Sequence, residues 1–243
     1  MNVLLKMRYL ILIFCICCFQ WATAQNFSYP KLAAKGKTIG TFVPNNWKAI
    51  DTAYGDLNND GLEDMALVLE YNFPVTERRA YGDSETELIK EFQKPRILAI
   101  FFRQQPSSGY QLVLQNNNFI LRSEEGGALG EPFKELRIKN NTLNLLFEGG
   151  NDWRWKLAYE FKYQHKQWVL IKANNTYYNI TSGEMSDKTY DFIDRRLKQI
   201  NGNLFSRNAA NITSEDVLYF TDLRTLNDFK KPWTWEITKD NFL

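Results

Sequence analysis

Asp56, Asn58, Asp60 and Asp64 stand at positions 1, 3, 5 and 9 of the run Asp56-Leu57-Asn58-Asn59-Asp60-Gly61-Leu62-Glu63-Asp64. All four carry side-chain oxygen. Gly61, at position 6, permits a sharp turn, and Leu62, at position 7, can offer its main-chain carbonyl. Hard oxygen donors at this spacing suit Ca2+. The crowded carboxylates of Asp56, Asp60 and Asp64 repel one another, and a divalent cation removes that penalty. The expected metal ligands are Asp56, Asn58, Asp60, Leu62 through its carbonyl, and Asp64. Position 12 is Leu67, so the bidentate Glu of a helix-loop-helix site is missing. On this reading Asp64 supplies two oxygens and water completes the shell. The competing reading is a plain hairpin turn, for which Asp60-Gly61 alone would suffice.

Other chemistry is sparse. His165 is the only histidine, and it falls in an expected turn, where a solvated role fits best. Its isolation in a turn speaks against Ser-His-Asp and Cys-His triads, and the lack of a second histidine excludes multi-His zinc sites. A pair of carboxylates could still hydrolyse a glycoside. Glu124, Glu125, Glu131 and Asp152 lie in glycine-rich loops and are candidates, although surface acids in loops are ordinary. Trp153 and Trp155 could stack on sugar, or could be core. Gly126-Gly127 and Gly149-Gly150 could line a pocket, or serve turns that need positive φ.

These residues must be held by β structure. Ala66 to Leu69 and Ile97 to Phe102 are almost continuously apolar, as central strands covered on both faces would be. Lys48 to Tyr54 and Met65 to Tyr71 flank the acidic loop as strands. Trp153, Trp155, Leu157, Tyr159, Phe161 and Tyr163 alternate with polar residues, which predicts a long strand with one wet face and an antiparallel sheet. Asn140-Asn141, Gln164-His165-Lys166-Gln167 and Pro106-Ser107-Ser108-Gly109 mark hairpin turns. The fold class expected is all-β, an antiparallel meander of roughly nine to twelve strands rolled or folded into a sandwich. One short helix is expected in a loop. Ser84-x-x-Glu87 reads as a capping box, with Leu88, Ile89 and Phe92 at helical spacing before Pro95. Leu204-Phe205, Val217 to Phe220 and Trp233 to Ile237 read as short strands or packing segments.

Residues 1–24 read as a signal peptide. Lys6 and Arg8 precede the apolar stretch Tyr9 to Phe19, and Ala22-Thr23-Ala24 supplies the cleavage site. All three cysteines, Cys15, Cys17 and Cys18, lie inside it. Residues 25–243 then form a single β-rich domain without disulfide or thiol chemistry, and no membrane span is expected after cleavage. The chain has 30 Lys and Arg against 28 Asp and Glu, and Lys6 and Arg8 account for the difference. A neutral mature domain gives no reason to expect nucleic acid as a partner.

With its flanking strands, Gly55-Asp56-Leu57-Asn58-Asn59-Asp60-Gly61-Leu62-Glu63-Asp64 (residues 55–64) resembles the calcium loop of FG-GAP and VCBS repeats, known from integrin alpha-chain propellers and bacterial surface proteins. The resemblance covers about 25 residues and implies calcium bound by Asp56, Asn58, Asp60 and Asp64. A propeller needs several repeats, and this chain shows one. More widely, the chain resembles an uncharacterised family of bacterial secreted proteins. Gly130-Glu131-Pro132-Phe133, Trp153-Arg154-Trp155 and Ser182-Gly183-Glu184-Met185-Ser186 carry that likeness, which implies no activity.

Three function classes remain. The first is an extracytoplasmic, periplasmic or secreted, calcium-binding module for a protein or glycan ligand. The second is a carboxylate-dependent hydrolase of polysaccharide or cell-wall material. The third is a purely structural envelope protein. A pair of acids at glycosidase separation in one cleft would favour the second, and a surface without a sizeable cleft the third.

Overall fold

The computed structural model describes residues 27–80, 88–205, 211–239 and 241–243. The expected signal peptide, 1–24, and the Ser84-x-x-Glu87 pattern lie outside them. Among the described residues no helix is long and apolar enough to cross a membrane.

The chain is all-β, as its alternation and turn chemistry predict, and its antiparallel sheets form a curled half-barrel. The first sheet is built from β1 (Lys35–Gly36), β2 (Trp47–Gly55), β3 (Asp64–Tyr71), β6 (Arg96–Arg103) and β7 (Tyr110–Asn116). Its spatial order is β1-β7-β6-β3-β2. The second sheet is an unbroken meander of β8 (Phe133–Lys139), β9 (Thr142–Gly150), β10 (Trp153–Gln164), β11 (Gln167–Asn179), β12 (Glu184–Asp191), β13 (Arg196–Asn203) and β14 (Ile212–Val217). Two small ribbons complete the strands. One pairs β4 (Val75–Ala80) with β5 (Leu88–Gln93); the other pairs β15 (Glu236–Thr238) with β16 (Asn241–Phe242). The described residues therefore hold sixteen strands. The excess over expectation lies in these ribbons and in the two-residue β1.

The expected helix at Leu88, Ile89 and Phe92 is corrected. Those residues are in β5, paired with Ala80, Arg79 and Thr76 of β4 respectively. A short helix is present elsewhere, as α1 (Ile39–Phe42).

The two sheets share one core, which explains the two kinds of strand seen in the sequence. Ala66 and Val68 of β3, with Leu98, Ile100 and Phe102 of β6, pack against Leu145, Phe147, Leu157, Tyr159 and Phe161 of the meander. The opposite faces of β3 and β6 present Met65, Leu67, Leu69, Ile97, Ala99 and Phe101 to Leu32, Phe42 and Trp47. A strand buried on both faces needs an uninterrupted apolar run. Leu218, Leu226, Phe229, Trp235 and Leu243, which follow the meander, are buried in the shared core too.

The turns follow the same local logic. Asn140 and Asn141 have φ of 52° and 60°, and His165 and Lys166 have 50° and 63°. Two successive left-handed residues match the right-handed twist of the strands they join.

Candidate functional site

The acidic loop joins β2 to β3, where Gly55 pairs with Asp64 at the end of the ladder. Its side chains fold the backbone around themselves. Asp56 Oδ1 accepts the N–H groups of Asn59 (2.7 Å) and Asp60 (3.2 Å), and its Oδ2 accepts that of Gly61 (2.9 Å). Asn58 Oδ1 accepts the Asp60 N–H at 3.1 Å, and Asp60 Oδ1 accepts the Leu62 N–H at 2.8 Å. Asn59 and Gly61 take φ of 63° and 80°. Gly61 has open space where a Cβ would project, so backbone conformation alone selects glycine there. The Asn141 amide donates to the Asp56 carbonyl at 2.8 Å, which ties the loop to the β8–β9 turn.

Asp64 sits beneath the loop and is completely buried. Its Oδ2 accepts the Leu57 N–H and its Oδ1 the Arg103 N–H, each at 2.9 Å. Burial pushes its carboxyl above the ordinary range, and the charges of Asp60 and Asp56 add to that; the two N–H donors pull the other way. The outer ligand positions meet directly, since the Asn58 amide donates to Asp60 Oδ2 at 2.8 Å.

The donor chemistry fits a hard cation, because every side chain in the set presents oxygen. A ready-made cage of carboxylates is not there. Among the described residues, no three His, Cys, Asp or Glu side chains are grouped so as to hold a metal ion. The expected set draws on an amide and a main-chain carbonyl instead. Each Asp64 oxygen that accepts one N–H also keeps a second lone pair.

The other candidates separate. Glu125 is committed to Lys231 at 2.7 Å and Arg79 at 3.2 Å, and Glu131 to Arg96 at 2.5 Å. Glu124 and Asp152 are exposed. The two glycine-rich loops do meet, through the Ala128 N–H on Asn151 Oδ1 (2.9 Å), but not through acids. Leu157, Tyr159 and Phe161 are core, whereas Trp155 is partly buried against Trp233, edge to face at 4.6 Å between ring centroids. A Cβ on Gly149 would overlap the Trp155 ring, so that glycine serves packing. Trp153 remains 46% exposed at the end of β10. His165 is exposed in its turn.

A buried ionic cluster beside the β4–β5 ribbon escapes the reading of the sequence. Arg122 is fully buried. It donates to Glu77 Oε1 (2.8 Å), the Tyr29 hydroxyl (2.7 Å) and the carbonyls of Ile120 (2.5 Å) and Asn117 (2.9 Å). The Tyr29 hydroxyl in turn donates to Glu77. Arg96 bridges Glu70 and Glu131, each at 2.5 Å, and reaches the Leu121 carbonyl at 2.7 Å. The available signal was a charge at the end of an apolar run: Glu70 after Leu69, and Arg96 before Ile97.

Next to this cluster lies a groove of about 790 Å³, lined in part by Phe27, Trp47, Tyr71, Glu77, Arg78 and Lys90. Aromatic and acidic residues thus share one concave site. Glu77 is already paired with Arg122 there, so the groove holds a neutralised acid rather than a free one. No protein-family model matches the chain, and neither does a curated protein or a solved structure.

Proposed function

We propose that the chain is an exported calcium-binding β-domain that acts as a binding module for a protein or glycan ligand, without catalysis of its own. The observation that carries the reading is the acidic loop. Asp56, Asn58 and Asp60 accept successive loop N–H groups, so their oxygens gather inside one turn. Asp64, under the same loop, has its carboxyl raised in part by the charges of Asp60 and Asp56. A divalent cation relieves that repulsion. The groove edged by Trp47 and Tyr71 is the place for the ligand.

Few charged ligands on an exported module imply weak affinity, with Kd on the order of 10⁻⁴ to 10⁻³ M. Calcium at a few times Kd then adds about 1 kcal/mol of stability. Magnesium, which demands a tighter octahedral shell, substitutes poorly. The test is thermal unfolding with EGTA and with calcium, beside Asp60→Ala. Calcium should raise the melting temperature of the wild type and leave the variant nearly unmoved. No response of the wild type at several millimolar would reduce the loop to a turn.

A second reading, hydrolysis by a carboxylate pair, rests on Glu135 and Glu160. They line one groove of about 250 Å³ with Arg137, Lys172 and Asn174. Two carboxylates across one groove are the minimum such chemistry requires. Release of reducing ends from polysaccharide or cell-wall material, lost in Glu160→Gln, would establish it in place of the binding role.

A further inference from the structure

Another cleft, of about 310 Å³, opens where the β4–β5 ribbon faces the segment around Lys230. Arg78, Arg79, Lys230 and Lys231 line it with Asn118, and none of its described lining residues is a carboxylate. We propose that this cleft binds a small oxyanion of phosphate type, held chiefly by the Arg78 guanidinium and the Lys230 ammonium.

The argument is one of charge. Behind the cleft, Glu125 takes Lys231 Nζ at 2.7 Å and Arg79 Nη2 at 3.2 Å, and Glu91 lies 3.6 Å from Arg79 Nε. Those carboxylates hold the two inner cations in place. Arg78 and Lys230 are exposed, and neither forms an ion pair among the described residues. Among the described residues, Arg79, Arg122 and Lys231 are met by Glu77, Glu91 and Glu125, which leaves the positive charges of Arg78 and Lys230 in excess. The excess lies at the mouth. Arg79 is almost wholly buried, and its Nε has no hydrogen-bond acceptor. Burial, and after it the Arg122 charge, hold its guanidinium below the ordinary arginine range, while Glu125 and Glu77 pull the other way.

An anion of two negative charges offsets that excess. A guanidinium fork and a mobile ammonium are the usual pair of donors for a phosphoryl group. Ala80 and Leu88 supply an apolar part of the lining, against which a short carbon skeleton can rest. The class of ligand is therefore inorganic phosphate or a small phosphate monoester.

The test uses inorganic phosphate on the mature protein, with EGTA present so that the calcium reading is not engaged. Titration calorimetry and thermal unfolding are run at fixed ionic strength against sodium chloride. Phosphate should bind saturably and raise the melting temperature. Lys230→Gln, which alters this cleft and not the aromatic groove, should weaken binding about tenfold, and Arg78→Gln with Lys230→Gln should abolish it. Both residues are exposed, so circular dichroism should show an unchanged fold. An equal shift with chloride, an equal shift in the double variant, or no shift at all would overturn the proposal. The residues joining β4 to β5 include Asp83, Glu85 and Glu87. If phosphate binds only after these become Asn, Gln and Gln, the chain itself fills the cleft and the proposal fails.

Discussion

Arg122 is fully buried, and its donors go to Glu77, the Tyr29 hydroxyl and two main-chain carbonyls. Removing one partner of such a pair leaves the other buried and uncompensated. Arg122→Met should cost about 3–5 kcal/mol in urea unfolding, and adding Glu77→Gln should restore part of it. Glu125 reports the same chemistry through pH. Its carboxyl is held down to about 2 from an ordinary 4.5 by Arg79 and Lys231, against the opposing effect of burial. A depressed acid contributes stability that is present above the unfolded value and lost as pH falls through the folded one. Stability should therefore decline from about pH 4.5 toward pH 2, and Glu125→Gln should flatten that decline. The acidic loop was legible because its residue types and its spacing sit in one short stretch. The arginine sites were not, because Glu70, Glu77 and Glu131 lie 26, 45 and 35 residues from the arginines they meet.

At the scale of elements, turn chemistry carried most of the reading. Asn140-Asn141 was recognisable because asparagine tolerates left-handed backbone, and both residues adopt it. The β10–β11 turn holds the same conformation with His165 and Lys166, of which the lysine is the less suited to it. Lys166→Gly should accordingly stabilise the protein by about 0.5–1 kcal/mol in thermal or urea unfolding. The β4–β5 ribbon shows where local pattern fails. Leu88, Ile89 and Phe92 have helical spacing, yet pairing with β4 prevails, and Leu88 and Phe92 are left 58% and 67% exposed. The same apolar residues fit a helix face or a ribbon, and only the partner strand decides. Trp155 is a related case. Its place on the strand was clear from alternation, but its contact with Trp233 joins residues far apart in sequence.

Across the whole molecule, the all-β class and the double-sided burial of β3 and β6 could be read from apolar runs. The long meander could be read from its hairpins. After the meander, Val217 to Phe220 and Trp233 to Ile237 could be read as packing segments, and Leu218, Trp235 and Ile237 are buried in the core, but Leu226 and Phe229 between them stand without a period and could not be placed. Phe229 is fully buried and meets Phe119 at 5.2 Å and Tyr159 at 5.7 Å between ring centroids. Phe229→Ala should cost about 3–5 kcal/mol in unfolding free energy, as much as a loss from the sheets themselves. This late segment also sets an order in time. A chain leaves the ribosome N-terminal end first, so both sheets emerge before Leu226, Phe229 and Trp235 are available to close the space between them. Until then the nascent chain carries an open apolar cleft and lacks its final cooperative contacts. Closure of the core waits on these late residues.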